Sequence, residues 1–389
     1  MTDSNQPTNQ ADPQPSPIIP PPPAPEPQPS AASVEPAPPP SQRTSPILLF
    51  FIAVVIAALG GGTWYYIVVQ KPLQERIDAQ QDAIIRLSGL QNPVNNKLDP
   101  AYTDSTGDLV ADPPTDPSQF VDPPKLRFCY VYAEDDSPYK TAFADFMKHL
   151  SDETGKPVEY ADFNSTDDHL SALKHNQLEV TAFNTGNVPI AVCAAGFVPV
   201  ACLGSEQGAG KYEMQILVRS DSPIQSVADL PGHELTLTNP GSNSGYKAPL
   251  VLIKSDFGLL PGRDFGVRYS GGHVQSIKGL ADGTYEVAAV ASDVVKLEIA
   301  NGDIQPNQFR VIYKSEAFPT AGIGYAYNLK PDLTAKIKQA ILDFNWSGTS
   351  MATYFAPSGE DRFVPVNYKD DWALVRRIDD EIGYAYQVK

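Results

Sequence analysis

The sequence predicts an α/β protein of two lobes, each a mostly parallel sheet with helices on both faces, preceded by a proline-rich head and one apolar segment. Three observations predict it. The prolines are uneven: 15 of the 38 fall in residues 1–45, nine in residues 46–124 and 14 in the rest. Residues 47–69 carry no charge at all. From Lys125 onward, short apolar runs of strand type alternate with segments of helical period.

Residues 1–46 form the head. One residue in three is proline there, and each proline lacks an N–H and fixes φ. With little apolar surface to bury, this segment is expected to be disordered. Residues 47–69 are mostly Ile, Val, Leu, Phe and Ala. As a helix at about 1.5 Å per residue they reach roughly 34 Å, enough to cross a bilayer core. Trp64, Tyr65 and Tyr66 stand at the far end, where aromatic rings favour the membrane interface. One transmembrane helix is therefore expected at 47–69. Basic residues do not fix its orientation, since Arg43 precedes the span while Lys71 and Arg76 follow it beside Glu75 and Asp78.

Residues 70–124 read as a helical stalk and linker. Leu73, Ile77, Ile84 and Leu87 share one helical stripe, and Pro72 suits a first turn. Residues 91–124 are rich in Asn, Asp, Pro and Thr, the composition of a spacer.

Residues 125–389 hold the globular part. Residues 126–132 read as a buried strand, followed by a helix over about 139–154 that Gly155 and Pro157 stop. A strand at 158–160, a helix at 167–174 capped by Thr166 or Asp167, a strand at 178–183 and a helix at 188–195 complete a β-α-β-α-β-α series. Strands at 214–219, 234–238, 266–269 and 287–291 then alternate with helices at about 245–257, 274–281 and 294–300. Strands at 309–313 and 323–328 and helices at 333–344 and about 370–384 close the chain. In such sheets a ligand sits beyond the carboxyl ends of the strands.

The net charge is −17, from 29 basic and 46 acidic residues. A duplex-binding surface needs a basic stripe, so nucleic acid is excluded as a partner, while one small anion held locally is not. Three cysteines, Cys129, Cys193 and Cys202, make no disulfide framework, although Cys193 and Cys202 could pair. No Gly-x-Ser-x-Gly elbow and no metal-ligand spacing occur, so neither an enzyme nor a metal or other cofactor is expected.

Four strand-to-helix junctions carry the chemistry. Asn239-Pro-Gly-Ser-Asn-Ser-Gly-Tyr246 offers the donors of Ser242, Asn243 and Ser244, together with the free N–H groups of a helix start. That is a pocket for a phosphate-sized anion, needing no basic side chain. His273 follows Ser270-Gly-Gly at the second junction and could donate to an anion. Asp293 follows Ala291-Ser292 at the third. A carboxylate there could accept the proton of a monoprotonated oxyanion and reject sulfate, which has none. Phe183-Asn-Thr-Gly-Asn187 is the first lobe's junction, supplying Thr185, Gly186 and helix-start N–H groups.

From Lys125 to about Gly383 the chain resembles the periplasmic phosphate-, phosphite- and phosphonate-binding proteins of ABC importers. The resemblance is carried by Asn239–Tyr246, Tyr269-Ser-Gly-Gly-His273, Gly283–Asp293, Gly155-Lys-Pro-Val158 and Phe363-Val-Pro-Val-Asn-Tyr368. It implies the type II periplasmic binding protein fold and oxyanion contacts from Ser242, Asn243, Ser244, His273 and Asp293. It also implies an ABC permease as partner and a periplasmic place for the C-terminal domain, hence a single-pass inner-membrane protein. The family's usual Ser-Thr-Ser is Ser242-Asn243-Ser244 here, and its first-lobe aromatic is missing after Gly186, a place Tyr139 or Tyr132 could fill. Thr320-Ala321 stands where aminoalkylphosphonate binders place an acid, which points to phosphate, phosphite or a neutral-tailed phosphonate. A tethered sensor or scaffold that uses the same pocket is the alternative function.

Overall fold

A computed structural model describes residues 60–71, 73–74, 77–78, 81, 96–131 and 138–388. Contacts divide the chain into Met1–Gly61 and Gly62–Lys389. Of the first unit only Gly60 and Gly61 are described; the fold belongs to the second. The expected head and residues 47–59 of the expected membrane segment lie outside the described residues. Residues 60–65 are helical and run into a π-helical turn, Tyr66–Gln70. No helix among the described residues is long and apolar enough to cross a membrane. Ile84 and Leu87 of the stalk stripe also lie outside the described residues.

Two sheets build the domain. The first contains β1 (Leu126–Cys129), β2 (Val158–Tyr160), β3 (Val180–Phe183), β4 (Phe197–Ser205) and the short β5 (Gly208–Ala209). The second contains β6 (Lys211–Arg219), β7 (Glu234–Leu237), β8 (Gly266–Tyr269), β9 (Val287–Ala291) and β10 (Phe309–Pro319). The chain then returns to the first sheet with β11 (Gly322–Ala326) and β12 (Arg362–Pro365). The spatial orders are β12-β4-β11-β3-β1-β2, with β5 on β4, and β10-β6-β9-β7-β8.

Neither sheet is mostly parallel, contrary to expectation. β1 is parallel to β2 and β3, and β7 to β8 and β9. The strands that carry the chain between lobes, β4, β6, β10 and β11, pair antiparallel with their neighbours. Only the strands joined by crossover helices can run the same way, and the crossings between lobes are too short for one. β4 and β12 were not foreseen. β4 holds Pro199, which cannot donate to a ladder, and its pairing with β11 is irregular at that point.

Other boundaries shifted by capping. The first helix breaks at Phe143 into Tyr139–Ala142 and Ala144–Thr154. Ser165, not Thr166 or Asp167, caps the helix Thr166–Lys174, accepting from the Asp168 N–H at 3.0 Å. Cys129, Cys193 and Cys202 are all buried and unpaired.

Residues 96–124, read as a spacer, lie against the first lobe. The Asp99 N–H donates to the Cys193 carbonyl at 2.8 Å, and the Tyr102 ring meets Tyr327 edge-on at 4.8 Å. Val121 bridges to Leu329, and the Lys156 ammonium donates to the Pro123 carbonyl at 2.7 Å. Prolines that cannot join a ladder still offer carbonyls, and here side chains take them up.

Candidate functional site

The carboxyl ends of β3, β7, β8 and β9 open on one cavity of about 660 Å³ between the lobes. Tyr139, Thr185, Gly186, Ser242, Asn243, Ser244, His273 and Asp293 all line it. The structure therefore brings every sequence-nominated site residue to one place. Tyr132 lies outside the described residues.

The loop after β7 is the most constrained part. It enters a π-helical turn, Asn243–Lys247, before the α-helix Ala248–Phe257. Such single turns widen a helix and leave its leading N–H groups exposed to whatever lies ahead. Gly245 is required: a Cβ there would lie 2.0 Å from the Thr238 hydroxyl, because the Thr238 N–H donates to the Gly245 carbonyl at 2.9 Å. The Asn239 side chain accepts from the Gly241 N–H at 3.2 Å and donates to the Gly271 carbonyl at 3.3 Å. That pair of bonds fixes this loop to the loop before His273.

The hydrogen bonds of His273 settle its tautomer. The Ala291 N–H donates to Nδ1 at 3.2 Å, so Nδ1 is the bare nitrogen and Nε2 carries the proton. Nε2 then donates to the Ser242 hydroxyl oxygen at 3.3 Å. That oxygen also accepts from the Gly245 N–H at 3.0 Å. With its oxygen doubly occupied, Ser242 keeps its own proton to donate. Burial holds the imidazole near a pKa of about 4, below its ordinary 6.5, so the ring is neutral at pH 7.

Asn243 and Ser244 are buried, and the Asn243 amide donates to the Tyr212 hydroxyl at 3.4 Å. Burial pushes the Tyr212 phenol up to about 12, with hydrogen bonds to Thr185, Asn243 and Ser244 opposing it. Thr185 places its own proton elsewhere, donating to the Pro319 carbonyl at 2.7 Å. At Gly186 the lobes come close: a Cβ there would lie 2.6 Å from the Gly241 carbonyl and 2.7 Å from the Asn243 nitrogen.

Asp293 opens the helix Ser292–Ala300, and its Oδ1 is buried without a hydrogen-bond partner. Burial raises its pKa, while the N–H groups of Val294 and Asp293 itself pull it down. An unmet acceptor at the cavity wall suits a ligand that brings a proton. Tyr139 stacks edge-on with Tyr130 at 4.8 Å and Tyr354 at 5.9 Å. It thus belongs to an aromatic wall, and burial raises its phenol pKa.

The sequence reading missed Tyr212, Tyr130, Tyr354 and Glu360, which line the same cavity. Tyr212 begins the strand that first enters the second lobe, and its burial within an exposed-looking Gly-Lys-Tyr-Glu run gives no local signal. Glu360 precedes the unforeseen β12. Among the described residues no Lys or Arg lines the cavity, and the oxyanion end is built from hydroxyls, amides and a neutral imidazole. Among the described residues no group of side chains is suited to a metal.

Comparisons with known proteins agree with this geometry. The family described as "ABC transporter, phosphonate, periplasmic substrate-binding protein" matches residues 128–372. The phosphate-import protein PhnD of Mycolicibacterium smegmatis is 25% identical over 228 residues, covering 56% of this chain and 70% of that protein. Two solved structures share the fold. One is PhnD1 of Prochlorococcus marinus in complex with methylphosphonate, at TM-score 0.58 and 15% identity, covering 67% of this chain and 99% of that one. The other is a binding protein component of an ABC phosphonate transporter from Pseudomonas aeruginosa, at TM-score 0.56 and 20% identity, covering 66% and 86%.

Proposed function

The chain belongs to the periplasmic substrate-binding proteins of phosphonate ABC transporters, and from that premise we propose that its lobes close on a phosphorus oxyanion and deliver it to an ABC permease. The observation that carries this reading is the Ser242–His273–Ala291 chain of hydrogen bonds. It holds a neutral imidazole in one tautomer and leaves the Ser242 proton free, beside the leading N–H groups of a helical turn. These donors are fixed before the ligand arrives, so little ordering is lost on binding. Asn243 and Ser244 complete the oxyanion end, and Asp293 accepts a ligand proton. We read it as a binder rather than an enzyme: at the cavity, the His273 nitrogen that faces the Ser242 hydroxyl carries a proton and cannot act as its base.

Residues 47–69 would anchor it in the inner membrane by one helix, with the binding domain in the periplasm. The uncharged run and its aromatic end support that reading. A second reading, sensing rather than import, is favoured by one set of contacts. The Asn96 amide donates to the Tyr384 carbonyl at 3.0 Å and to Asp380 at 2.9 Å, so the segment after the stalk grips the C-terminal tail. A change in lobe position could reach the stalk that way.

Calorimetric titration of the solubilised full-length protein with phosphate, phosphite, methylphosphonate and sulfate tests the ligand. Binding of at least one phosphorus oxyanion is expected; heat from none of them would end the proposal. Protease added outside spheroplasts should remove the binding domain, and digestion of the head alone would invert the topology.

A further inference from the structure

The turn that opens the oxyanion end holds an acceptor among its donors. Asn243 lines the cavity at 2% exposure, and its Oδ1 is buried without a hydrogen-bond partner. The side chain is wedged where the lobes meet, with its Cβ 3.2 Å from the place a Cβ on Gly186 would take. Tyr212 fixes which way its amide faces. The Tyr212 ring lies against Phe318, its partner across β6 and β10, with centroids 5.8 Å apart. Its hydroxyl is hydrogen bonded to Thr185, which has given its own proton to the Pro319 carbonyl and can only accept. The phenol proton is thus spent on Thr185, and the phenol oxygen takes one from Asn243 Nδ2 at 3.4 Å. With Nδ2 committed, Oδ1 is the Asn243 atom with capacity left for a ligand.

A bare oxyanion oxygen cannot satisfy that atom, and a buried acceptor left unmet is costly. Among the described residues no Lys or Arg lines the cavity to offset a second ligand charge. Resting on the function proposed above, we infer that Asn243 is a specificity-determining residue, and that it makes the site take inorganic phosphate as its dihydrogen monoanion. One P–OH group donates to Asn243 Oδ1 and the other to Asp293, in the role already given to that acid. The two bare oxygens accept from Ser242 and the N–H groups of the turn. Tyr212 acts through Asn243 as a positioning residue. The monoanions of methylphosphonate and phosphite carry one P–OH each, and sulfate carries none, so each leaves an acceptor unmet. The titratable groups that face this end are His273, Asp293, Glu360 and the phenols of Tyr130, Tyr139, Tyr212 and Tyr354. Burial keeps the imidazole neutral and the phenols protonated. Between about pH 6 and about pH 8, protons are therefore exchanged by the two carboxyls and by the ligand itself. Variants at Asn243 and Tyr212 leave both carboxyls in place and so isolate the ligand's share.

The test is calorimetry on the full-length protein with phosphate and methylphosphonate, about one pH unit below the second ionisation of phosphate, where both are monoanions. Phosphate should bind about tenfold or more tightly, the worth of one buried hydrogen bond. About one unit above that ionisation, phosphate affinity should drop about tenfold, because only the monoanion fraction is competent to bind. Asn243→Leu removes the acceptor, and the ratio of the two affinities should fall toward one. Tyr212→Phe frees the amide to turn and should lower the same ratio, whereas a purely structural loss would weaken both ligands alike. Equal binding of the two ligands by the natural protein, a phosphate affinity that does not drop above the ionisation, or an unchanged ratio in both variants overturns the inference while leaving the oxyanion site standing. Failure of both ligands to bind overturns the function on which it rests.

Discussion

Two aspartates with buried carboxylate oxygens show how the same side chain can hold a fold or wait for a ligand. Asp379 lies in the C-terminal helix Ala373–Glu381 and is fully buried. The Lys247 ammonium donates to it at 2.8 Å, and the Tyr386 hydroxyl donates to its other oxygen at 2.7 Å. Lys247 also donates to the Gly186 carbonyl at 2.8 Å and lies 3.9 Å from the centre of the Tyr384 ring. Burial raises the Asp379 pKa, and Lys247 and Tyr386 pull it back. Asp293 is also raised by burial, yet its Oδ1 has no partner. A satisfied buried carboxylate is architecture; an unsatisfied one at a cavity wall is a place prepared for something else.

The largest effect should come from breaking the satisfied one. Lys247→Met leaves a charge in the interior with one hydroxyl for company, which costs about 3–5 kcal/mol. Because Lys247 ties the turn Asn243–Lys247 to both the Gly186 loop and the C-terminal helix, ligand affinity should fall with stability. Thermal melting checks the first effect and calorimetry the second. The double variant Lys247→Met, Asp379→Leu should recover much of the stability, since no lone charge remains. If Lys247→Met alone melts as the natural protein does, the architectural role assigned to this pair is wrong.

The contrast also separates what could be read in the sequence from what could not. The junctions after β3, β7, β8 and β9 were legible because each ends an apolar run with Gly, Ser, Asn or Asp, and local chemistry decides such turns. That put Ser242, His273 and Asp293 in view at once. Lys247 was not legible. It lies inside a helical stretch as an ordinary basic residue, and its partner is 132 positions away. Glu360 and Tyr212 were hidden for a related reason: their burial depends on β12 and on the crossing into the second lobe. The parallel-sheet expectation failed at β4, where Pro199 masks a strand that pairs on both edges, with β11 and β12. Long-range pairing decides these residues, and single-sequence periodicity does not carry it.

Asp293→Asn should act on selection rather than on the fold. The amide removes a buried acceptor that lacks a partner, so melting should change little or rise. Sulfate, which carries no proton to give Asp293, should gain on phosphate by about 1–3 kcal/mol, the usual consequence of restoring or removing one unmet buried hydrogen bond. Competition calorimetry with the two anions measures it. Tight sulfate binding by the unaltered protein would remove the role given to Asp293. A large loss of stability in Asp293→Asn would make it a second Asp379.

The smallest expected effect distinguishes two histidines in the same manner. His169 lies between the Phe163 and Phe183 rings, at 4.9 and 4.3 Å, with Nε2 paired to the Thr181 hydroxyl at 2.6 Å. Burial lowers its pKa to about 3, and that of His273 to about 4, from an ordinary 6.5. Both rings are neutral in the fold, while an unfolded chain protonates them below 6.5. Their contribution to stability is therefore complete above pH 6.5 and declines as pH falls through 6.5 toward 4. The raised carboxyls of Asp293, Glu360 and Asp379 work with the opposite sign, so the histidine part must be read by difference. Melting profiles of the natural protein and His169→Gln should diverge less as pH drops from 7 to 4. A bound oxyanion beside His273 favours its charged form and should weaken that residue's share of the pH dependence. It should leave the difference made by His169→Gln intact, and a ligand that altered both alike would show that the two sites are not separate.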